Sequence, residues 1–194
     1  MRQEQLNKIL DDHKLWVESK KEKGKQALLH GANLKGANLK KAFLFGANLE
    51  SANLEGANLY DADLYGANLY NVNLEGANLK KAHLFCANME GANLEVANLP
   101  DAVLVNANLV DANLSGANLV DANLTESYLV CANLTEANLT EANLHGANLK
   151  GAKFTTEIRE ARNLKYCEIT KDQLPWLALH PDFSKFYSTL TVSE

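Results

Sequence analysis

Between Ala27 and Phe154 a large apolar residue recurs at every fifth position, with a small apolar residue two places before it. The unit is Ala-Asn-Leu followed by two variable residues, as in Ala32-Asn33-Leu34 and Ala37-Asn38-Leu39. About 26 such units follow one another without an inserted residue. Departures keep the phase: Met89 and Phe154 stand for the Leu, Val72 and Ser127 for the Ala, and Phe43, Asp63, His83, Val103 and Tyr128 for the Asn. A period of five fits neither the 3.6-residue spacing of an amphipathic helix nor the two-residue alternation of an ordinary strand. Leucine-rich repeats need longer units and uneven Leu spacing, so they are excluded as well. The pattern therefore predicts a short-period solenoid, each turn burying its apolar side chains against its neighbours.

The flanks follow other rules. Leu6, Ile9, Leu10, His13, Trp16 and Val17 fall on one side of a helix, and the polar, Lys-rich stretch Lys20 to Lys25 follows. Residues 1–26 are thus predicted to cap the first coil and link it to the repeats. After Phe154 the motif decays, yet Leu164 and Ile169 stay in phase and Cys167 falls at an Ala position, which extends the repeat region to 27–169. Thr170-Lys171-Asp172-Gln173 reads as a capping box opening a helix through Leu179, broken at His180-Pro181. Further helical turns are expected around Phe183, Phe186, Tyr187 and Leu190, making 170–194 a helical C-terminal cap.

The run from Ala27 to Phe154 resembles the pentapeptide-repeat family, whose motif is A-(N/D)-L-x-x. The resemblance implies an all-β solenoid, a right-handed quadrilateral β-helix with four pentapeptides per coil, the Leu and Ala inward and the other three residues outward. Coils stacked at the usual strand spacing of about 4.8 Å would give a rod roughly 30 Å long. Inside it Leu fills the axis and Ala lets the wall come close, neither carrying a polar atom that needs a buried partner. Asn suits hydrogen bonding to nearby backbone, and Gly at the last position of many repeats, such as Gly46 and Gly56, suits a turn with positive φ.

Charge separates two functional classes. The formal net charge is −5, and within the repeats carboxylates outnumber lysines by about six, one net charge per ~5 Å of rod against one per ~1.7 Å in duplex DNA. Some pentapeptide-repeat proteins imitate DNA and modulate a topoisomerase such as DNA gyrase. That remains the alternative reading, weakened by the dilute charge and by the absence of an inserted loop between coils. Direct nucleic-acid binding is not expected of an acidic body without an arginine in its repeats. No signal peptide or membrane-length apolar run is present, so a cytoplasmic location is expected, and the resemblance suggests a bacterial, most often cyanobacterial, source.

Chemistry-bearing residues are sparse. His13, His30, His83, His145 and His180 are scattered, with no metal-ligand or triad spacing, and Cys86, Cys131 and Cys167 form no CxxC. No catalytic, cofactor-binding or metal-binding residue is predicted, and no cofactor; the chain reads as a non-enzymatic scaffold or interaction module with an unidentified protein partner.

Outward positions compared every twenty residues show unlike walls. One column holds Lys35, Glu55, Glu75 and Glu95, expected to stay solvated, and another holds Lys41, Asp61, Lys81, Asp101, Asp121 and Glu141, where alternating signs could bridge neighbouring coils. A third carries Phe45, Tyr65, Phe85 and Val105, with Phe43, His83 and Val103 beside them and Tyr60 and Tyr70 round the corners. This stripe is either a stabilising ladder or a protein-binding patch. Lys40-Lys41-Ala42-Phe43-Leu44-Phe45 returns forty residues on as Lys80-Lys81-Ala82-His83-Leu84-Phe85, an internal duplication of two coils. At the far end, Trp176, Phe183, Phe186 and Tyr187 form either a cap or an end-to-end contact, giving a monomer or a weak homodimer.

Overall fold

A computed structural model describes residues 1–154, 158 and 161–193. Each pentapeptide forms one side of a four-sided coil, and the Asn-position residue bridges in parallel to the residue twenty further on, as in Asn33↔Asn53 and Asn53↔Asn73. The repeat Ala47 to Ser51 accounts for its own backbone donors. Asn48 N donates to Ala27 O in the coil before (3.0 Å), while Leu49 N and Ser51 N donate to Asn68 O and Tyr70 O in the coil after (both 2.8 Å). Ala47 N closes the corner onto Leu44 O at 3.0 Å. The remaining donor, Glu50 N, has no backbone partner and is taken by Asn48 Oδ1 at 3.0 Å. Asn therefore recurs because its side chain accepts the one N–H that the coil geometry leaves over. Its own amide continues the pattern between coils, as Asn93 Nδ2 donates to Asn73 Oδ1 and Asn113 Nδ2 to Asn93 Oδ1, each at 3.2 Å.

The interior is a column of Leu and Ala, nearly all of it at most 2% exposed, with Met89 and Phe154 filling two Leu places. The fifth residue of each repeat is left-handed whether it is Gly46 (φ 61), Asp61 (φ 57) or Lys41 (φ 57). The Glu column is not wholly solvated, since Lys35 Nζ lies 2.9 Å from Glu55 Oε1. Lys41 and Asp61, of opposite sign in the neighbouring column, lie 3.8 Å apart.

Helix α1 (Gln3–Glu18) lies over the first coil, with Leu6 buried in the core and Ile9 and Leu10 packed on it. The first coil has no predecessor, so its outward-facing backbone edge needs partners. Gln3 stands in for one: its Nε2 donates to Asn38 O (2.9 Å) and its Oε1 accepts from Asn38 N (3.1 Å). The α-amino group of Met1 donates to Asn33 O (3.0 Å), and Ala27 N donates to Nδ1 of the fully buried His13 (3.1 Å). The linker returns against α1 at Gly24 (φ +72), where an added Cβ would lie 2.2 Å from Asp12 O, so no other residue fits.

Burial lowers the His13 pKa, with the Phe45 backbone acting the other way. Protonation would also turn Nδ1 from an acceptor into a donor facing the Ala27 N–H. Because the folded-state value lies below the ordinary 6.5, the unfolded chain binds this proton first. The cap is at full strength above that value and weakens as pH falls below it. Protection of the Ala27 amide against hydrogen exchange, corrected for intrinsic rate, is expected to drop between about pH 7 and about pH 5.5. Equal protection at both pH values would refute this role for His13.

At the other end Leu164, Cys167 and Ile169 are fully buried, as are Ile158 and, nearly so, Ala161. The register slips locally: Asn143 bridges Arg162, nineteen residues on, while Asn148 bridges Glu168 at the usual twenty. Asn163, left-handed at φ 56, takes up the extra residue before Leu164. Strand β1 (Glu168–Thr170) is followed by a 3-10 turn Lys171–Gln173 and helix α2 (Leu174–Leu177), two residues shorter than the sequence pattern predicts. One half of the Thr170–Gln173 capping box is formed, Thr170 N donating to Gln173 Oε1 at 2.8 Å. Buried Gln173 then uses Nε2 on Leu149 O (2.6 Å) and Ala152 O (2.8 Å). Helix α3 (Phe183–Phe186) and a 3-10 turn Tyr187–Thr189 complete the helical part. Residues 191–193 are not helical as expected but form β2 (Thr191–Ser193), paired in parallel with β1. Thr191 N donates to Cys167 O at 2.9 Å, so β2 is a fragment of one more coil laid over a carbonyl edge that would otherwise be bare.

Candidate interaction wall

The residues of the predicted stripe come together on one side of the rod. Phe45 and Tyr65 stack at 5.0 Å between ring centroids and 2° between planes, and Tyr65 and Phe85 at 5.2 Å and 10°. Phe43 lies beside Phe45 at 6.4 Å. Coil spacing sets these distances, because identical positions in successive coils are separated by one strand spacing. His83 and Val103 join Phe45, Tyr65 and Phe85 around a groove of about 450 Å³. Val105 continues the same column, half-buried. Phe45 is 39% exposed and Tyr65 42%, and no segment of the described chain covers them.

Helix α1 extends the wall in a way the repeat pattern could not show. His13 lies 6.2 Å from Phe43 and 5.8 Å from Trp16, joining the cap to the ladder. Beside it, Trp16, Val17, Lys20, Lys21, Gln26, Phe45 and Gly46 border a second groove of about 400 Å³, with Lys21 Nζ 5.2 Å from the Trp16 ring centre.

On this wall the Asn rule is broken. Phe43, His83 and Val103 occupy the Asn position and offer no carboxamide, and Phe45, Phe85 and Val105 N–H have no hydrogen-bond acceptor among the described residues. Asp63 keeps the rule between them, accepting from Tyr65 N at 3.1 Å, and Asn123 restores it one coil beyond Val103. The substitutions were visible in the sequence, but their cost was not, since it depends on which N–H the coil leaves over.

The other candidates separate. Trp176 (39% exposed) and Tyr187 (53%) face outward at the C-terminal end, whereas Phe186 is buried against the cap and Phe183 is half-buried, its ring 5.6 Å from Phe186. Phe186 is thus unavailable to an end-to-end contact. His180 is buried, with Nε2 2.6 Å from Ala161 O. Cys86 and Cys131 are exposed free thiols; burial pushes the Cys167 thiol up to about 12, and its Sγ donates to Leu144 O. Among the described residues no cluster of His, Cys, Asp and Glu is placed to hold a metal, and no helix is long and apolar enough to cross a membrane.

A four-sided coil with a period of five, an Asn-sealed backbone and one apolar wall defines a repeat solenoid. The profile of pentapeptide repeats matches eight copies over overlapping stretches spanning residues 25–155. The chain belongs to the pentapeptide-repeat family, whose structurally similar members here are right-handed β-helices. No curated protein sequence matches it. Among solved structures it is similar to HetL, a pentapeptide repeat protein involved in heterocyst differentiation regulation in the cyanobacterium Nostoc sp. strain PCC 7120 (35% identity, TM-score 0.48). That match covers 71% of this chain and 63% of HetL, so the chain spans less than two thirds of that protein's length. It is also similar to full-length QnrB1, a plasmid-mediated fluoroquinolone resistance protein (20% identity, TM-score 0.55, covering 75% and 84%), a likeness of fold alone. A pentapeptide repeat protein of the Arabidopsis thaliana thylakoid lumen matches at 29% identity over 46% of this chain and 66% of its own, with TM-score 0.40.

Proposed function

We propose that the chain is a non-enzymatic scaffold that presents its aromatic wall to a protein partner. The observation that carries this reading is the exposed, stacked ladder Phe45–Tyr65–Phe85, whose two outer rings lie in repeats without the Asn acceptor. At Phe45 and Phe85 the backbone donors stay open among the described residues, as Val130 N does beside Tyr128 on another side, whereas Asn seals the corresponding donor in most repeats. Contiguous exposed apolar surface rimmed by polar groups is the usual mark of an interaction site. Catalysis needs polar groups that converge in a concavity, and the grooves on this wall are lined largely by aromatic and aliphatic side chains. In this reading the protein works where thiols stay reduced, and Trp176 and Tyr187 are the residues left to meet a second copy.

The test is affinity capture from the native cell with the intact chain and a Phe45→Ser/Tyr65→Ser/Phe85→Ser variant side by side. The intact chain is expected to retain proteins that the variant loses, both chains having the same far-ultraviolet circular dichroism. Identical captured sets would sink the proposal.

A further inference from the structure

The internal duplication builds two equivalent subsites on the aromatic wall. The first is Lys40, Lys41 and Phe45 with its unpaired N–H; the second is Lys80, Lys81 and Phe85 with its unpaired N–H. The bridges Phe43↔Asp63 and Asp63↔His83 place them two coils apart, about 9.6 Å at 4.8 Å per coil. Each subsite carries its own pair of adjacent lysines. All four of these lysines stand along one edge of the wall, in a protein of net charge −5, interleaved with Asp61 and Asp63 between the pairs, Asp101 beyond the second and Asp11 of α1 beside the first. Lys20 and Lys21 add to the same sign at the wall's N-terminal end. The opposite corner is uncharged, formed by Gly46, Gly66 and Cys86. Lysines and open N–H donors both ask for carboxylates, and the ladder between them asks for apolar side chains.

Resting on the reading above, we infer that the occupant of this wall is an acidic amphipathic α-helix of a partner protein, lying along the rod axis. Two spacings point to a helix. Carboxylates seven residues apart on a helix share a face and are about 10.5 Å apart, matching the two subsites. Helical turns rise about 5.4 Å, close to the 5.0 and 5.2 Å steps of the ring ladder, so apolar residues at successive turns meet successive rings. An extended segment fits poorly, because the three-residue step of about 10 Å puts its two carboxylates on opposite faces. Register is held over about two turns before the difference between coil and turn accumulates, which suits a short contact of two subsites.

The probe is a synthetic 18-residue helix with Leu along one face and Glu at seven-residue spacing on its flank, titrated into the ¹⁵N-labelled full-length protein. Shifts are expected at amides of 40–45, 61–65 and 80–85, including those of Phe45 and Phe85. Changing Lys40, Lys41, Lys80 and Lys81 together to Gln is expected to weaken binding about tenfold, and high salt to weaken it in the same direction. These lysines are outward side chains, so that variant keeps the fold. A Lys-for-Glu peptide and a peptide broken by a central Pro are expected not to bind. Equal binding of either control, shifts elsewhere on the rod, no shifts, or an unaffected lysine variant would each overturn the inference. Wall-dependent capture from the cell with a silent acidic helix would leave the protein-binding reading standing and remove only this one.

Discussion

Truncating Leu94 to alanine is expected to lower the unfolding free energy by about 3 kcal/mol, a large fraction of what a small protein has. Leu94 is fully buried at the centre of the rod, between Leu74 and Leu114 of the coils before and after. The cavity cannot collapse easily, because the Asn93–Asn73 and Asn113–Asn93 amide ladder and the backbone bridges fix the wall on that side. The reverse change, Ala92→Leu, is also expected to destabilise, by about 1–3 kcal/mol or more, since Ala92 is where the wall approaches the axis. Urea denaturation of both variants checks this. A loss below about 1 kcal/mol for Leu94→Ala would show that the coils repack more freely than the hydrogen-bonded walls allow.

Removing residues 1–24 is expected to have the second large effect, about 5 kcal/mol of lost stability together with self-association. The deletion uncovers the first coil beneath Leu6, Ile9 and Leu10, and each such side chain is worth about 1.5–3 kcal/mol when buried. It also strips the Gln3 and Met1 partners from Asn33 and Asn38, leaving an open strand edge that a second copy can extend. Sedimentation and thermal melting of the truncated chain separate the outcomes. A monomer with unchanged melting temperature would mean that α1 decorates the rod and does not cap it.

Much of the wall was legible beforehand. The five-residue phase, with the four repeats per coil that the family resemblance implies, put Phe45, Tyr65 and Phe85 in one column. It could not show that Trp16 and His13 join them, because an α-helix packs by its own period and its docking angle is set by tertiary contacts. Nor did pattern distinguish Phe186 from Trp176 and Tyr187 at the other end; all are aromatic near a predicted helix, and only packing against His180 and Phe183 buries the first.

The sequence by itself determined the five-residue period, the phase of every repeat position and the duplication that repeats the lysine pair and Phe, while the four-sided coil with Leu and Ala inward was what the family resemblance implied. It could do so because a solenoid's contacts are local and periodic, so one unit's pattern dictates the next. The tertiary structure decided what happens where periodicity stops or is broken. It made Gln3 and Gln173 into substitutes for missing coils and turned residues 191–193 into a strand on the last edge. It also left Phe45 and Phe85 with open N–H groups on the exposed wall. Those outcomes depend on which backbone groups find partners in space, and hydrogen-bond satisfaction is a property of the assembled coils, not of any five residues.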